Sequence, residues 1–371
     1  MTVQSLLGHA FVRALTTVSL CLLLLNALVA LAAPFAYVTN SGVGTVSVID
    51  IATNTVIATV AVGTTPLGVA VTPDGTRVYV TNQGSSNVSV ISTATNTVIA
   101  TVGVGALPFG VAVTPDGARV YVANQGSANV SVISTATNTL TATVAVGVNP
   151  RGVAVTPNGA RVYVANNGSN NVSVIDTATN TLAATVAVGF NPVGVAVTPD
   201  GTRVYVANNG GANDVSVIST ATNTVTATVV LTDPFGVAVT PDGTRVYVTN
   251  PGQDRVSVID TATNTLIATI LVGTDPEGLA VTPDGTRVYV ANNSNSNVSV
   301  ISTATNTVTG LVAVGAVPVA FGLFITPGAA PPAPPGTASG IPTLSEWSMV
   351  LLSLFLTGFA WFHLRKKGRR F

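Results

Sequence analysis

Three side chains in this 371-residue chain suit nucleophilic, proton-transfer or transition-metal chemistry outright: His9, His363 and Cys21. All three lie near the ends. Between residues 34 and 327 there is no His, Cys, Lys, Met or Trp. That removes most nucleophiles, general bases and soft metal ligands from the interior of the chain, and it rules out disulfides there. What remains is carboxylate. Asp233, Asp275 and Glu277 share one stretch, and such a trio could at most hold Ca²⁺ weakly. The sequence therefore predicts no catalytic residue, no metal and no cofactor. Residues 34–327 carry 8 Arg against 12 Asp and 1 Glu, a net of −5. Nucleic-acid binding needs a basic surface, so that function class is excluded.

Most of these charges are copies of one another. Asp74, Asp116, Asp200, Asp242 and Asp284 follow a proline and precede a glycine, and Asn158 holds the same place in a sixth copy. An Arg stands three residues after each of the five Asp. A feature copied this regularly reads as a hairpin fixture. It also exposes the unit behind it. The seven Tyr of the chain (37, 79, 121, 163, 205, 247 and 289) are spaced by 42 residues throughout, and a period of this size signals a repeat architecture.

One unit, residues 68–109, holds four short runs, GVAV, RVYV, VSVI and TVIATV. They are rich in Val, Ile, Tyr and Thr, which favour strands. Pro73-Asp74-Gly75, a polar loop at 83–87, the TATNT stretch at 93–97 and a crossing at 105–110 separate them with turn chemistry. Each unit is thus a four-stranded antiparallel meander. Its strands lack a polar face, as strands covered on both sides do. Sheets stacked face to face in a ring satisfy that pattern. The fold class is all-β, a seven-bladed β-propeller. A membrane barrel is excluded by strand length, since its strands need about 9–11 residues. The first unit lacks its GVAV run, and a degenerate copy, FGLFITP, follows the last unit at 321–327. Pairing 321–326 with 35–38 gives 28 strands and leaves no free edge.

Against this frame the departures from the repeat stand out. The residue before the GVAV glycine varies: Leu67, Phe109, Arg151, Val193, Phe235, Glu277. With GVAV innermost, these ring one mouth of the central channel. The loop between the second and third strands varies too, with Asp254-Arg255 as its most charged version. Both variable sets fall on one side of the disc, because successive hairpins alternate sides. Phe109, Arg151, Phe235, Glu277, Asp254 and Arg255 are the candidate binding residues, with the two Phe serving either as partner anchors or as a plug of the channel.

The ends carry targeting signals. Arg13 precedes an apolar stretch at 14–33 that finishes on small residues, the pattern of a cleavable signal peptide over 1–33. A Pro/Gly/Ala-rich linker fills 328–340. Then come Ile341-Pro342-Thr343-Leu344, Trp347, an apolar span at 348–364 and a basic cluster. The span is long enough to cross a membrane, and the basic residues after it place the C-terminus in the cytoplasm.

Two resemblances follow from these motifs. Tyr79-Val80-Thr81-Asn82 and Tyr247-Val248-Thr249-Asn250, with YVAN in other copies, make residues 34–327 similar to the YVTN-family β-propeller repeat proteins. That family implies an exported, surface-associated protein. The order Ile341-Pro342-Thr343-Leu344, Trp347, helix, basic cluster resembles the IPTL-CTERM sorting signal, although Ser348 stands where Gly often follows the Trp. This second resemblance implies a Gram-negative-type bacterium and an exosortase-like membrane enzyme as partner, with the inner membrane holding the chain before processing. The expected function is a non-enzymatic binding or structural module at the cell surface, its ligand a surface protein or polysaccharide. The alternative is a lactonase-like or periplasmic accessory propeller working through the channel.

Overall fold

In the computed structural model, residues 34–211 and 213–327 are described; the regions read as signal peptide (1–33), linker (328–340) and sorting segment (341–371) lie outside them. The first three strands are β1 (Phe35–Asn40), β2 (Thr45–Asp50) and β3 (Thr55–Ala61), paired in that order. The next blade is complete: β4 (Pro66–Val71), β5 (Arg77–Asn82), β6 (Asn87–Ser92) and β7 (Thr97–Gly103). Five further four-stranded antiparallel blades span 108–145, 150–187, 190–230, 237–271 and 276–313. The short GVAV run is innermost in each and the TVIATV run outermost. The chain is a seven-bladed propeller.

Burial follows the sequence pattern. The second and third strands are covered on both faces, with Val78, Tyr79, Val80, Val88 and Val90 all at 0% exposure. The outermost strands keep most of their side chains in solvent. The turn glycines do what the PDG motif requires, Gly75 sitting at φ +69°, a conformation open to glycine without steric cost.

The tyrosines have a structural task. Each is fully buried, and each hydroxyl donates to an Asn in the TATNT turn of the next blade: Tyr37 to Asn96 Oδ1 at 2.8 Å, Tyr79 to Asn138 at 2.9 Å, and so round the ring to Tyr289 and Asn54 at 2.5 Å. A buried phenol needs such a partner. The arginines after the PDG turns run alongside. Arg245 Nη1 donates to Thr303 O at 2.6 Å and Arg287 Nη1 to Ile51 O at 2.7 Å. The Asp of the turn instead accepts from Thr72 Oγ1 at 2.5 Å and Thr76 N at 3.0 Å. The Asp therefore fixes its own hairpin, whereas the Arg fastens one blade to the next.

Residues 318–326 close the ring, though not as a regular strand. They pair with β1 through isolated bridges, Asn40 with Pro318 and Ala36 with Ile325. Tyr37 N donates to Phe324 O at 2.8 Å and Thr326 N to Phe35 O at 2.9 Å. The same segment also bonds to β4, with Val69 N to Phe321 O at 3.0 Å and Val71 N to Leu323 O at 3.1 Å. Sharing its backbone between two blades, with Ala320 at φ 47° and Gly322 at φ 123°, breaks the ladder, so 27 strands form among the described residues instead of the expected 28. The one-residue deletion before residue 237 reaches past its loop: it trims that blade's innermost strand to Val237–Val239. Every ring-closing bond lies within 34–327, inside one compact unit ending at Ala329.

Candidate functional site

The channel has two unlike ends. At the end formed by the variable loops, the residues before the innermost glycines converge on the axis. The approach is tight enough to demand glycine next to them: a Cβ at Gly236 would lie 2.3 Å from Glu277 O, and one at Gly110 2.2 Å from Arg151 O. Where the tetrapeptide is YVTN, its Thr ties down the mouth residue of the following blade, Thr81 Oγ1 donating to Phe109 O and Thr249 Oγ1 to Glu277 O, each at 2.7 Å.

Most of this ring is an apolar plug. Leu67, Phe109, Val193, Val319 and Phe321 are buried together, with Phe235 packed on them. Phe321 stands edge-to-face against Phe109 (centroids 5.2 Å apart, planes at 69°) and Phe235 (5.9 Å, 81°), the favoured geometry for aromatic pairs. Phe109 is only 8% exposed. The structure thus places the two Phe in the plug, and Phe109 has no open face for a partner. Among the described residues, Phe190 does reach solvent, 62% exposed where the innermost strand of its blade begins. Phe190 belongs to neither of the two variable sets in the sequence, so nothing in the repeat pattern marks it.

Two charged groups are set into the plug. The Arg151 guanidinium carbon lies 5.5 Å from the Phe109 centroid, within cation–π range. Its Nε is buried without a partner. Burial lowers its pKa, with Glu277 opposing the shift. Glu277 accepts from Asn293 Nδ2 at 3.1 Å. Burial first, then the Asp275 charge, raise its pKa from 4.5 to about 7, against the pull of Arg151. A carboxyl poised there can hold or release a proton near neutrality.

The other carboxylates are committed to loops. Asp233 accepts from Asn209 Nδ2 and Gly252 N, both at 2.6 Å. Asp254, at φ 55°, accepts from Asp275 N at 2.9 Å and so clasps the crossing beside Glu277. Arg255 opens the third strand of its blade and is exposed. Asp233, Asp275 and Glu277 do not meet: among the described residues no group of three His, Cys, Asp or Glu side chains is placed to hold a metal. Ile341, Pro342, Thr343, Leu344 and Trp347 lie outside the described residues.

At the opposite end, where the PDG and TATNT turns repeat, the channel opens into a funnel of about 520 Å³. Its wall is built from successive layers of the innermost strands, as in Val111, Val113 and Pro115, and no charged side chain lines it. Seven like inner-strand ends meet at this face. Convergence on the axis makes them one cavity.

Comparison with known proteins adds a second line. Residues 340–370 match the IPTL-CTERM motif. This is a seven-bladed propeller with an IPTL-CTERM signal. Within the ring, residues 103–198 match a seven-bladed β-propeller lactonase family and residues 170–317 a choice-of-anchor I domain. Among solved structures the ring is similar to hydrazine synthase of Kuenenia stuttgartiensis, at 28% identity and a TM-score of 0.67, over 72% of this chain and 92% of that one. A functionally unknown protein from Desulfotomaculum acetoxidans, 20% identical with a TM-score of 0.67 over 78% and 99% of the two chains, shares the fold. No curated protein matches the chain. A propeller joined to a C-terminal sorting motif has the make-up of an exported surface module, and the motif implies processing by an exosortase-type enzyme.

Proposed function

We propose that the protein is a non-enzymatic binding module displayed on the surface of a Gram-negative-type bacterium. Its apolar span at 348–364 holds it in the inner membrane, C-terminus in the cytoplasm, until an exosortase-type enzyme processes the tail. Its partner is a surface protein or polysaccharide. The observation that carries this reading is the asymmetry of the plugged face. Three consecutive crossings expose Leu107 (45%), Val148 (60%) and Phe190 (62%), and the next two carry Asp233 and Asp275 beside Glu277. Unlike the repeated face, it offers one apolar arc next to one acidic arc, with Arg151 set in the mouth behind the apolar one. Retention of the purified ring on envelope material of the native host tests it. Phe190→Ser with Val148→Ser should abolish retention while leaving the melting temperature unchanged. Undiminished retention would refute the assignment of this face. Intact-mass analysis of the host protein should find residues 1–33 and the segment from about Ile341 missing, whereas a mass that keeps the basic tail would leave a plain anchor.

The second reading is an enzyme of the lactonase-like kind. It is favoured by the lactonase match and by Glu277, whose raised pKa suits a general base. Lactone turnover that rises through about pH 7 and disappears in Glu277→Gln would establish it in place of the binding module.

A further inference from the structure

The funnel at the repeated face, about 520 Å³, is a feature of the ring with no role assigned so far. Its walls carry valine, alanine, leucine, isoleucine and proline in concentric layers, and Thr72 is the one polar side chain among them. That hydroxyl is already spent on Asp74. Nothing in the wall can orient a ligand by a directional side-chain bond, so shape and apolar contact must do the recognition. From the Val111 layer to the Pro115 layer is four residues, the last two past the end of the strand, about 14 Å at extended spacing. Phe321, part of the aromatic plug, stands over the void of about 30 Å³ at the inner end, so the funnel is blind. A narrow, blind, apolar funnel fits a rod with no polar atoms along its length.

Its rim sets the other end of the ligand. Asp74, Asp116, Asp200 and Asp242 stand one residue beyond the proline layer, and Thr hydroxyls together with turn amides hold each ionised by lowering its pKa. A carboxylate or phosphate head would be repelled by these charges, whereas a neutral one would not and a cationic one would be attracted. Pro327, the last described residue, also lines the funnel.

We propose that the funnel is a binding site for a single linear alkyl chain bearing an uncharged or cationic head. The site lies wholly within residues 70–327, so it is tested on the ring alone. Residues 34–329 hold all the closure bonds and can be used in solution. Displacement of the neutral fluorophore N-phenylnaphthylamine by linear alcohols from hexanol to hexadecanol is the measurement. Affinity should rise about fourfold per added methylene and level off once the chain exceeds roughly 14 Å, at one ligand per ring. An alkyltrimethylammonium should bind at least as well as the alcohol of equal length, and the fatty acid more weakly at neutral pH. Val155→Phe and Val281→Phe, which fill the funnel from different blades, should each weaken binding more than tenfold with the melting temperature kept or raised. Absence of the length dependence, tighter binding of the fatty acid, or binding indifferent to both substitutions would overturn the site while leaving the surface-display reading intact.

Discussion

Glu277→Gln should make the protein more stable, and only above a definite pH. In the folded ring the Glu277 carboxyl has its pKa raised from 4.5 to about 7 by burial, then by Asp275, with Arg151 pulling the other way. Below about pH 4.5 the group is protonated in both folded and unfolded chains and contributes nothing. Between 4.5 and 7 the unfolded chain ionises and the folded one does not, so stability falls as pH rises. Above 7 both are ionised and the full penalty is in force. A shift of this size corresponds to about 3 kcal/mol. The amide is uncharged and keeps the Oε1 acceptor that Asn293 uses. At about 2–4 °C per kcal/mol for a domain of this class, the variant should melt within a degree of wild type at pH 4.5 and roughly 6–12 °C higher at pH 8. The assay is thermal unfolding followed by circular dichroism at half-unit steps. Parallel curves for the two proteins across pH 4.5–8 would refute the reasoning, because they would mean the carboxyl is not desolvated in the fold.

Three further outcomes follow from the geometry. Phe109→Ala with Phe235→Ala should lower the melting temperature by roughly 10 °C or more, since truncating a buried Phe costs about 3–5 kcal/mol; a change of a degree or two would mean the plug is not packed as described. Tyr289→Phe should cost about 1 kcal/mol, the worth of the clamp to Asn54 that joins the last blade to the first, and Tyr79→Phe should cost the same in chemical denaturation; a neutral effect at both would remove the tyrosines from ring closure. Ending the chain before residue 318 strips the bonds to both β1 and β4 and frees two edges, so light scattering should detect aggregation; a monomer of unchanged stability would disprove the closure.

Much of this was legible one residue at a time. The 42-residue period, the alternation of apolar runs with turn chemistry, and the split of one blade between the chain ends determine a closed ring of seven sheets. They do so because strand period, turn φ and edge pairing are local demands that a repeat states seven times. The repeated Asp was equally readable as a hairpin fixture, since its partners are two residues away. What depended on contacts between blades was hidden. Tyr79 and Asn138 lie 59 residues apart, and only curvature of the ring brings that phenol to that amide. Asp254 and Arg255 are adjacent and charged, yet one clasps a crossing and the other faces solvent, a difference set by strand register. Phe109, Arg151 and Glu277 were singled out for failing to repeat, but whether they stand open or buried depends on how closely seven strands approach a common axis. There the spacing is so small that only glycine fits between neighbours. The side chains beside those glycines must then fill the channel, and this crowding makes Phe109 a plug and raises the pKa of Glu277. Two layers further along, the same strands carry valine and proline, too short to meet across the axis, and the space left between them is the funnel.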